Sequence, residues 1–165
     1  MRIYREKRRV PHEADKMFAL VADMERYSDF LPFCESNVVL TRRMEADREI
    51  VVSKMTVAFK VLRESFRSRV TLEVPKRRIL IESKDGPLRE FRTRWTFLPV
   101  DAQSCEVEIL VTYELASPLL STLLGSVIES AIGRLGAAFQ QRADTLYGKR
   151  TSRSPRVGES VPITP

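Results

Sequence analysis

Few residues in this chain have the side chains that acid–base or nucleophilic chemistry requires. His12 is the only histidine, and it stands at the start of a predicted helix, where a capping or exposed position is expected rather than work as a general base. Cys34 and Cys105 have no CxxC spacing and no histidine nearby, a pattern typical of buried reduced thiols rather than of a metal site or a disulfide. No motif places a serine or cysteine beside a base. These residues predict a protein that is not an enzyme.

The composition predicts one globular domain with an anionic partner. The chain has 165 residues, of which 43% are hydrophobic and 30% charged, and this is enough for a single packed core. The formal net charge is +6. Such a charge favours a membrane surface or RNA as the partner and does not choose between them, while DNA is not expected.

The N-terminus and the apolar stretches predict a cytoplasmic protein. Residues 1–10 alternate basic and apolar side chains and lack the apolar core of a secretory signal. The longest weakly charged stretch, residues 115–128, is shorter than the roughly 18 apolar residues of a membrane span. Peripheral contact with the inner face of the membrane is a further expectation. The polar segment 149–165 is expected to be disordered, so the folded domain is predicted to cover residues 1–148.

The elements that position any site follow from hydrophobic periodicity. A short extended run before Pro11 predicts an opening strand, and a helix with one buried face follows it. Pro32 then interrupts an aromatic connector at residues 30–33, because proline cannot continue a regular helix. From the connector to about residue 115 the period is two. Breaks in this pattern predict about six strands joined mostly by hairpins, and they fall at residues 46–47, 60–63, 75–76, 85–87 and 101–102.

Three of these strands are predicted to have one apolar and one polar face. One apolar face consists of Phe91, Thr93, Trp95 and Phe97. A second consists of Cys105, Val107, Ile109, Val111, Tyr113 and Leu115, opposite the acids Glu106, Glu108 and Glu114. A third consists of Phe66, Val70, Leu72 and Val74, opposite Arg67, Arg69 and Glu73. The sheet is therefore expected to have an apolar inner face and a charged outer face.

A single long helix is predicted for residues 118–147. Ser117 suits its N-cap and Pro118 its first turn. Winding the helix at 100° per residue gathers one broad apolar stripe, made of Leu120, Leu124, Val127, Ile128, Ala131, Leu135, Ala138 and Phe139. The order of elements, with strands in an antiparallel run and helices at either end, predicts an α+β fold.

A curved sheet packed on one long helix can enclose a ligand cavity, typically of roughly 300 to 1,000 Å³. The same apolar side chains would also explain a solid core. Periodicity leaves both interpretations open.

The connector and several later segments carry a resemblance to a known family. Residues 21–34 read VADMERYSDFLPFC. They closely resemble the Asp-x-x-x-Tyr-x-x-Phe-Leu-Pro-aromatic-Cys signature of the coenzyme-Q-binding START family, part of the polyketide cyclase/dehydrase superfamily that includes the RatA-like proteins. Later blocks of that family are matched in the same order by residues 57–60, 64–70, 95–97 and 117–120. Ser28 and Phe33 stand where the family often has proline and tryptophan.

The resemblance implies a helix-grip (START-like) fold and a lipid-like ligand, with ubiquinone as the expected bound molecule and support of respiration as the role. Apolar and aromatic side chains would line the cavity, namely Tyr27, Phe30, Leu31, Pro32, Phe33, Phe66, Phe91, Trp95, Phe97, Tyr113, Leu120, Leu124, Val127, Ile128 and Leu135. Hydrogen-bond donors for the quinone carbonyls are expected among Tyr27, Tyr113, Trp95 and Thr93.

The same resemblance supports two other functions. RatA-like proteins are ribosome-associated toxins that block subunit association, and basic side chains suited to rRNA phosphates are available at Arg67, Arg69, Lys76, Arg77, Arg78, Arg92 and Arg94. Polyketide cyclases and aromatases share the broader fold. A cyclase is less favoured, because the acids of the strand at residues 105–115 point away from its apolar side.

Overall fold

The structure, a computed structural model, describes residues 1–148 and opens with a strand followed by two short helical segments. The strand β1 spans Arg2–Val10, the helix α1 spans Ala14–Ala22, and a 3-10 turn spans Met24–Asp29. The helix α1 is the predicted helix with one buried face, and its buried residues include Met17, Leu20 and Val21. The predicted disordered segment 149–165 lies outside the described residues.

Six further strands follow, as the breaks in the period-two pattern predicted. They are β2 (Cys34–Glu45), β3 (Arg48–Phe59), β4 (Leu62–Glu73), β5 (Arg78–Ser83), β6 (Leu88–Asp101) and β7 (Ser104–Leu115). All neighbouring strands are antiparallel, and their order across the sheet is β1-β7-β6-β5-β4-β3-β2. Consecutive strands from β2 to β7 are therefore neighbours. The strand β1 pairs with β7 and forms one edge of the sheet, and β2 forms the other edge.

The end of β4 differs from the predicted alternation. Val74 is 62% exposed and begins a 3-10 turn, Val74–Lys76, whereas Glu73 is buried. Pro75 ends the strand, since it cannot donate to the ladder, and the apolar face therefore stops at Leu72. The guanidinium of Arg78 donates from Nε to Glu73 Oε1 at 2.6 Å, and this hydrogen bond holds the pKa of the Glu73 carboxyl below its usual value.

The long C-terminal helix predicted for residues 118–147 is divided into two. The helix α2 spans Pro118–Gly133 and α3 spans Leu135–Tyr147, with a bend of 45° between them. Ser117 caps α2 as predicted, because its hydroxyl accepts a hydrogen bond from the Leu120 amide at 3.2 Å. Just after the bend, α3 passes close to β1 at Gly136, where an added Cβ would lie 2.5 Å from the Glu6 carboxylate and would require that side chain to move.

The sheet curves around the C-terminal helices, which confirms the predicted α+β architecture. The core lies between the inner face of the sheet, α1 and α3, and its largest fully buried side chains include Phe97, Phe139 and Met17. In contrast, only Leu124 and Ile132 of α2 are buried. No single helix within residues 1–148 is long and apolar enough to cross a membrane, although α2 and α3 together meet the length and composition of a bent span.

Candidate functional site

An apolar cavity of about 190 Å³ lies between the inner face of the sheet and the helices α2 and α3. Strands β2 to β6 supply its floor, and the segment after the first 3-10 turn supplies one wall. Because α2 buries so few residues, the space that a packed helix would fill remains open beneath it. The sheet and the helices therefore enclose a cavity rather than a solid core.

Most of the residues predicted to bind ligand line this cavity. They are Tyr27, Leu31, Pro32, Phe33, Phe66, Phe91, Trp95, Leu124, Val127, Ile128 and Leu135. The structure brings the aromatic connector, the strands and the last helices together at one site.

Four predicted site residues, Phe30, Phe97, Tyr113 and Leu120, do not line the cavity. Phe97 lies on the predicted face of β6 but stacks behind Trp95, with ring centroids 6.1 Å apart and planes 10° apart. Phe30 packs edge-on against Phe139 at 5.0 Å and lies behind the wall.

The other two lie at positions that the periodicity could not distinguish from the cavity lining. Tyr113 is buried on β7, opposite Arg2 of the edge strand β1 in register. Leu120 belongs to the capped first turn of α2 and is half-buried. Alternation along a strand and winding of a helix identify the side on which a residue lies, but not how far the cavity extends along that side.

Packed aromatic rings close the inner end of the cavity. Trp95 meets Phe139 edge-on at 5.0 Å, and Tyr27 meets Phe139 edge-on at 5.3 Å. All three side chains are buried. The cavity wall is therefore aromatic at this end and has the chemistry to contact a flat ring.

The opposite end opens to solvent, because Arg63 lines the cavity and is exposed. We call this rim the mouth and define it by Phe33, Phe59, Leu62 and Arg63. Phe33 and Phe59 pack edge-on at 5.4 Å.

Large apolar side chains are exposed next to the mouth in sequence and on the helix α2. Val61, next to Leu62, is 95% exposed, and Leu119 and Leu123 of α2 are 66% and 49% exposed.

Burial keeps the potential nucleophiles at the cavity protonated. The Tyr27 hydroxyl donates to the Val21 carbonyl, and desolvation raises the pKa of Tyr27 far above its usual value. Desolvation also raises the pKa of the Cys34 thiol to about 11. Cys34 and Cys105 are buried free thiols, as predicted. Tyr27 is therefore not available as a donor to a ligand, and Cys34 is not a thiolate at neutral pH.

Polar groups that the sequence analysis did not select lie on the cavity floor. Asn37, Ser53 and Ser68 line the cavity, and each is buried. Thr93, one of the predicted donors, lies there too. Within residues 1–148, Asn37 Oδ1 and Thr93 Oγ1 are buried without a hydrogen-bond partner. The sequence signal for these residues is a polar side chain on the inner face of a strand, where it interrupts the apolar pattern.

His12 is buried rather than exposed, which corrects the prediction. Its side chain is 1% exposed, and its Nε2 lies 2.7 Å from Asp144 Oδ1. Asp144 belongs to α3, which bends away from α2 by 45°, and its carboxylate meets the segment after β1. His12 does not line the cavity, so the pair ties α3 to the start of α1 and has no part in the site.

The outer face of the sheet is charged, and ion pairs neutralise only part of it. Arg92 pairs with Glu82 at 3.5 Å, and Arg78 with Glu73 at 2.6 Å. At the turn after β4, Lys76 pairs with Glu73 at 3.7 Å and Arg77 with Asp15 of α1 at 2.9 Å. In the described part of the chain no ion pair involves the outer-face residues Lys54, Arg67, Arg69 and Arg94.

Comparisons with known proteins agree with this fold and cavity. Residues 10–140 match the family described as polyketide cyclase / dehydrase and lipid transport. The chain is 33% identical to the ribosome association toxin RatA of Pseudomonas aeruginosa over 139 residues, which is 84% of this chain and 93% of that protein. It is 24% identical over 151 residues to the coenzyme Q-binding protein COQ10 homolog B, mitochondrial, of Xenopus laevis, covering 89% of this chain and 60% of that protein.

A solved START superfamily protein from Mycobacterium smegmatis has the same fold. It superposes with a TM-score of 0.71 at 16% identity, covering 87% of this chain and 98% of that one. The resemblance read from residues 21–34 is thereby confirmed, and the chain belongs to the polyketide cyclase / dehydrase and lipid transport family, with a START-like helix-grip fold.

Proposed function

We propose that this protein is a non-enzymatic carrier of a hydrophobic small molecule, and that the molecule is a prenylated quinone such as ubiquinone. The observation that supports the proposal most is the cavity, which is apolar on nearly all sides and walled by Trp95, Phe139 and Tyr27 at its inner end. Flat rings pack favourably against such walls. The Xenopus relative, whose name includes coenzyme Q binding, supports a quinone over other apolar ligands.

The size of the cavity limits how such a ligand is held. At about 190 Å³ it is smaller than the roughly 300 to 1,000 Å³ usual for small-ligand sites. A quinone ring and the beginning of its tail match this volume. The remainder of a long tail leaves through the mouth or lies beneath α2 after this sparsely packed helix moves outward. Each buried methylene contributes about 0.8 kcal/mol, so even partial burial of the tail favours binding.

The lining offers little for catalysis. Its charged members within residues 1–148 are Arg63 and Glu64, and both belong to the end of the cavity that meets solvent. The thiol of Cys34 is protonated because burial raises its pKa to about 11. His12 is engaged with Asp144 outside the cavity. A cyclase needs a positioned acid or base beside its substrate, and this arrangement favours binding without reaction.

Native mass spectrometry of the purified protein, followed by lipid extraction, tests the carrier proposal. We expect one quinone per chain, either retained from the host cell or taken up from added ubiquinone. A cavity-filling control, Ala131→Phe, places a ring inside the lining and should abolish uptake while the protein stays folded. Wild-type protein that stays empty with added ubiquinone, or a control that binds equally well, would contradict the proposal.

A second candidate function, association with the ribosome, is supported by the outer face of the sheet. Lys54 lies directly opposite Arg67 in the β3–β4 register, and Arg69 follows on the same side of β4. Like charges opposite one another destabilise a sheet. Cations in such an arrangement suit a polyanion such as the phosphates of rRNA. RatA of Pseudomonas aeruginosa is named as a ribosome association toxin.

Co-sedimentation with large ribosomal subunits at several salt concentrations tests this second function. We expect Arg67→Glu with Arg69→Glu to release the protein from the subunits. The matched control, Arg77→Glu with Arg78→Glu, alters cations that already have carboxylate partners and should have less effect. Equal effects of the two pairs, or no sedimentation of the wild type, would count against a ribosomal role for this face.

A further inference from the structure

We infer that a polar patch on the cavity floor, formed by Asn37, Ser53 and Ser68, holds the head of the ligand and selects for one that is rich in hydrogen-bond acceptors. This inference rests on the carrier function proposed above. It names the part of the ligand that the cavity recognises, and it assigns the recognition to residues that share one small area of three adjacent strands.

The strand register brings the three side chains together. Ser53 of β3 lies opposite Ser68 of β4. Asn37 of β2 lies opposite Met55, which is two residues from Ser53 along β3. Residues directly opposite on antiparallel strands have Cβ atoms about 5 Å apart, and diagonal neighbours lie about 7 to 8 Å apart. Ser53 is therefore close to Ser68 and diagonal to Asn37, so that one ring lying over Ser53 is within reach of the other two side chains.

Burial makes these side chains unfavourable unless a ligand meets them. Asn37 is 6% exposed, Ser53 3% and Ser68 6%. Asn37 Oδ1 has no hydrogen-bond partner within residues 1–148. A buried amide oxygen without a partner destabilises a fold, and an apolar side chain of similar size would be more favourable. Stability alone therefore does not account for Asn37. Oδ1 is an acceptor and a quinone has no donor for it, so the groups that can meet a quinone head are the N–H donors of the Asn37 amide and the hydroxyls of Ser53 and Ser68.

The chemistry of the patch indicates the class of head. An asparagine amide offers two N–H donors and one acceptor, rotation of its side chain exchanges their positions, and each serine hydroxyl offers one donor. Together they can donate to two or more ligand oxygens. A quinone ring carries two carbonyl oxygens and accepts from such donors. A bare prenyl or acyl chain would leave the patch unsatisfied and would bind less well.

Thr93 provides a matched control inside the same cavity. Its Oγ1 is also buried without a partner in the described part of the chain. In register, however, it lies between Ile81 and Val111, so a single hydroxyl stands in an apolar row. The patch offers several donors within the width of a ring and Thr93 offers one. The head is therefore assigned to the patch, and Thr93→Val tests that choice.

Calorimetric titration with two ligands tests the inference: ubiquinone-2, and geranylbenzene, which has the same tail on a ring without oxygens. We expect Asn37→Leu to weaken ubiquinone-2 binding by roughly five- to tenfold, and Ser53→Ala with Ser68→Ala to weaken it similarly. Binding of geranylbenzene should be unchanged or tighter. Thr93→Val should change the ratio of the two affinities by less than twofold. Asn37→Leu should also unfold at the same temperature as the wild type or higher, which separates a binding role from a structural one.

Three results of these titrations would overturn the inference, and each has a different meaning. If the wild type binds both ligands equally, or if the patch variants keep the wild-type preference, the cavity carries a ligand but the patch does not select it. A larger loss with Thr93→Val than with Asn37→Leu moves the head to β6. Failure of the wild type to bind either ligand overturns the carrier function and the inference together.

Discussion

Phe139 and Phe97 form a matched pair that tests where the cavity ends. Both are 1% exposed, and both contact Trp95, Phe139 edge-on at 5.0 Å and Phe97 stacked at 6.1 Å. Phe139 lines the cavity, whereas Phe97 lies behind the wall. The substitutions Phe139→Ala and Phe97→Ala therefore remove equal side chains from equally buried sites, and only one of the two sites faces the ligand.

Both substitutions should cost similar stability. Removal of a buried phenylalanine side chain typically lowers the free energy of unfolding by about 3 to 5 kcal/mol. At about 3 °C per kcal/mol for a domain of this size, the expected fall in Tm is roughly 10 to 15 °C. The effects on ligand differ. Loss of the Phe139 ring removes an aromatic contact worth about 0.5 to 1.5 kcal/mol, so affinity for a short-tail ubiquinone should fall roughly two- to tenfold. Affinity in Phe97→Ala should stay within twofold of the wild type.

Differential scanning calorimetry without ligand and titration with ubiquinone-1 below the transition measure the two quantities. The first shows whether the variants lose comparable stability. The second is interpreted only for protein that is folded at the temperature of titration. If Phe97→Ala weakens quinone binding as much as Phe139→Ala, the ligand reaches beyond Trp95 and the described boundary of the cavity is wrong.

Three further predictions use other parts of the molecule. Saturating short-tail ubiquinone should quench the fluorescence of Trp95, the only tryptophan, and unchanged emission with binding shown independently would place the ring elsewhere. Leu119→Ser with Leu123→Ser should slow transfer of ubiquinone from anionic vesicles far more than it lowers affinity for ubiquinone-1, because both leucines are exposed on α2, a helix that lines the cavity. Equal losses in the two assays would place the entrance elsewhere. His12→Ala should lower the free energy of unfolding by roughly 1 to 3 kcal/mol, because it leaves Asp144 without its partner, and should leave quinone affinity within twofold; a stable variant that no longer binds quinone would give His12 a direct role.

The strands were predictable from the sequence because their two faces differ in polarity and their turns interrupt the pattern. In β6, for example, Trp95 points inward and Arg94 outward, as the alternation predicted. The hairpin breaks fall where the strands end, from residues 46–47 to residues 101–102. Both signals are local, so no knowledge of the rest of the fold is needed to read them.

The division of the last helix was not predictable in the same way. The apolar stripe is continuous across Arg134, and no proline interrupts it. After the bend, α3 meets β1 at Gly136 and Glu6, residues that are far apart in sequence. His12 and Asp144, which also meet, are separated as widely. Periodicity within one segment cannot report contacts between segments.

The residues that line the cavity could be predicted from the sequence only in part. Alternation placed Trp95 and Phe97 on one face correctly, but the depth of the cavity along β6 depends on where α3 places Phe139. The inner-face positions of Asn37 and Ser53 could not be predicted, because β2 and β3 alternate less regularly in polarity than β6 and β7. The shift in register between Val39 and Thr41 shows the irregularity directly.

The same alternation makes the two candidate functions separable on a single strand. On β4, Ser68 faces the cavity floor, while its neighbours Arg67 and Arg69 lie on the outer face. If the protein is only a carrier, substitution of Ser68 should impair its activity and substitution of Arg67 and Arg69 should not. If the protein only binds ribosomes, the substitutions of Arg67 and Arg69 should impair its activity and that of Ser68 should not. If both sets of substitutions impair one cellular activity, then ligand and ribosome act through the same sheet. In that case the occupancy of the cavity should alter ribosome association, since a shift of β4 on its inner side displaces the cations on its outer side.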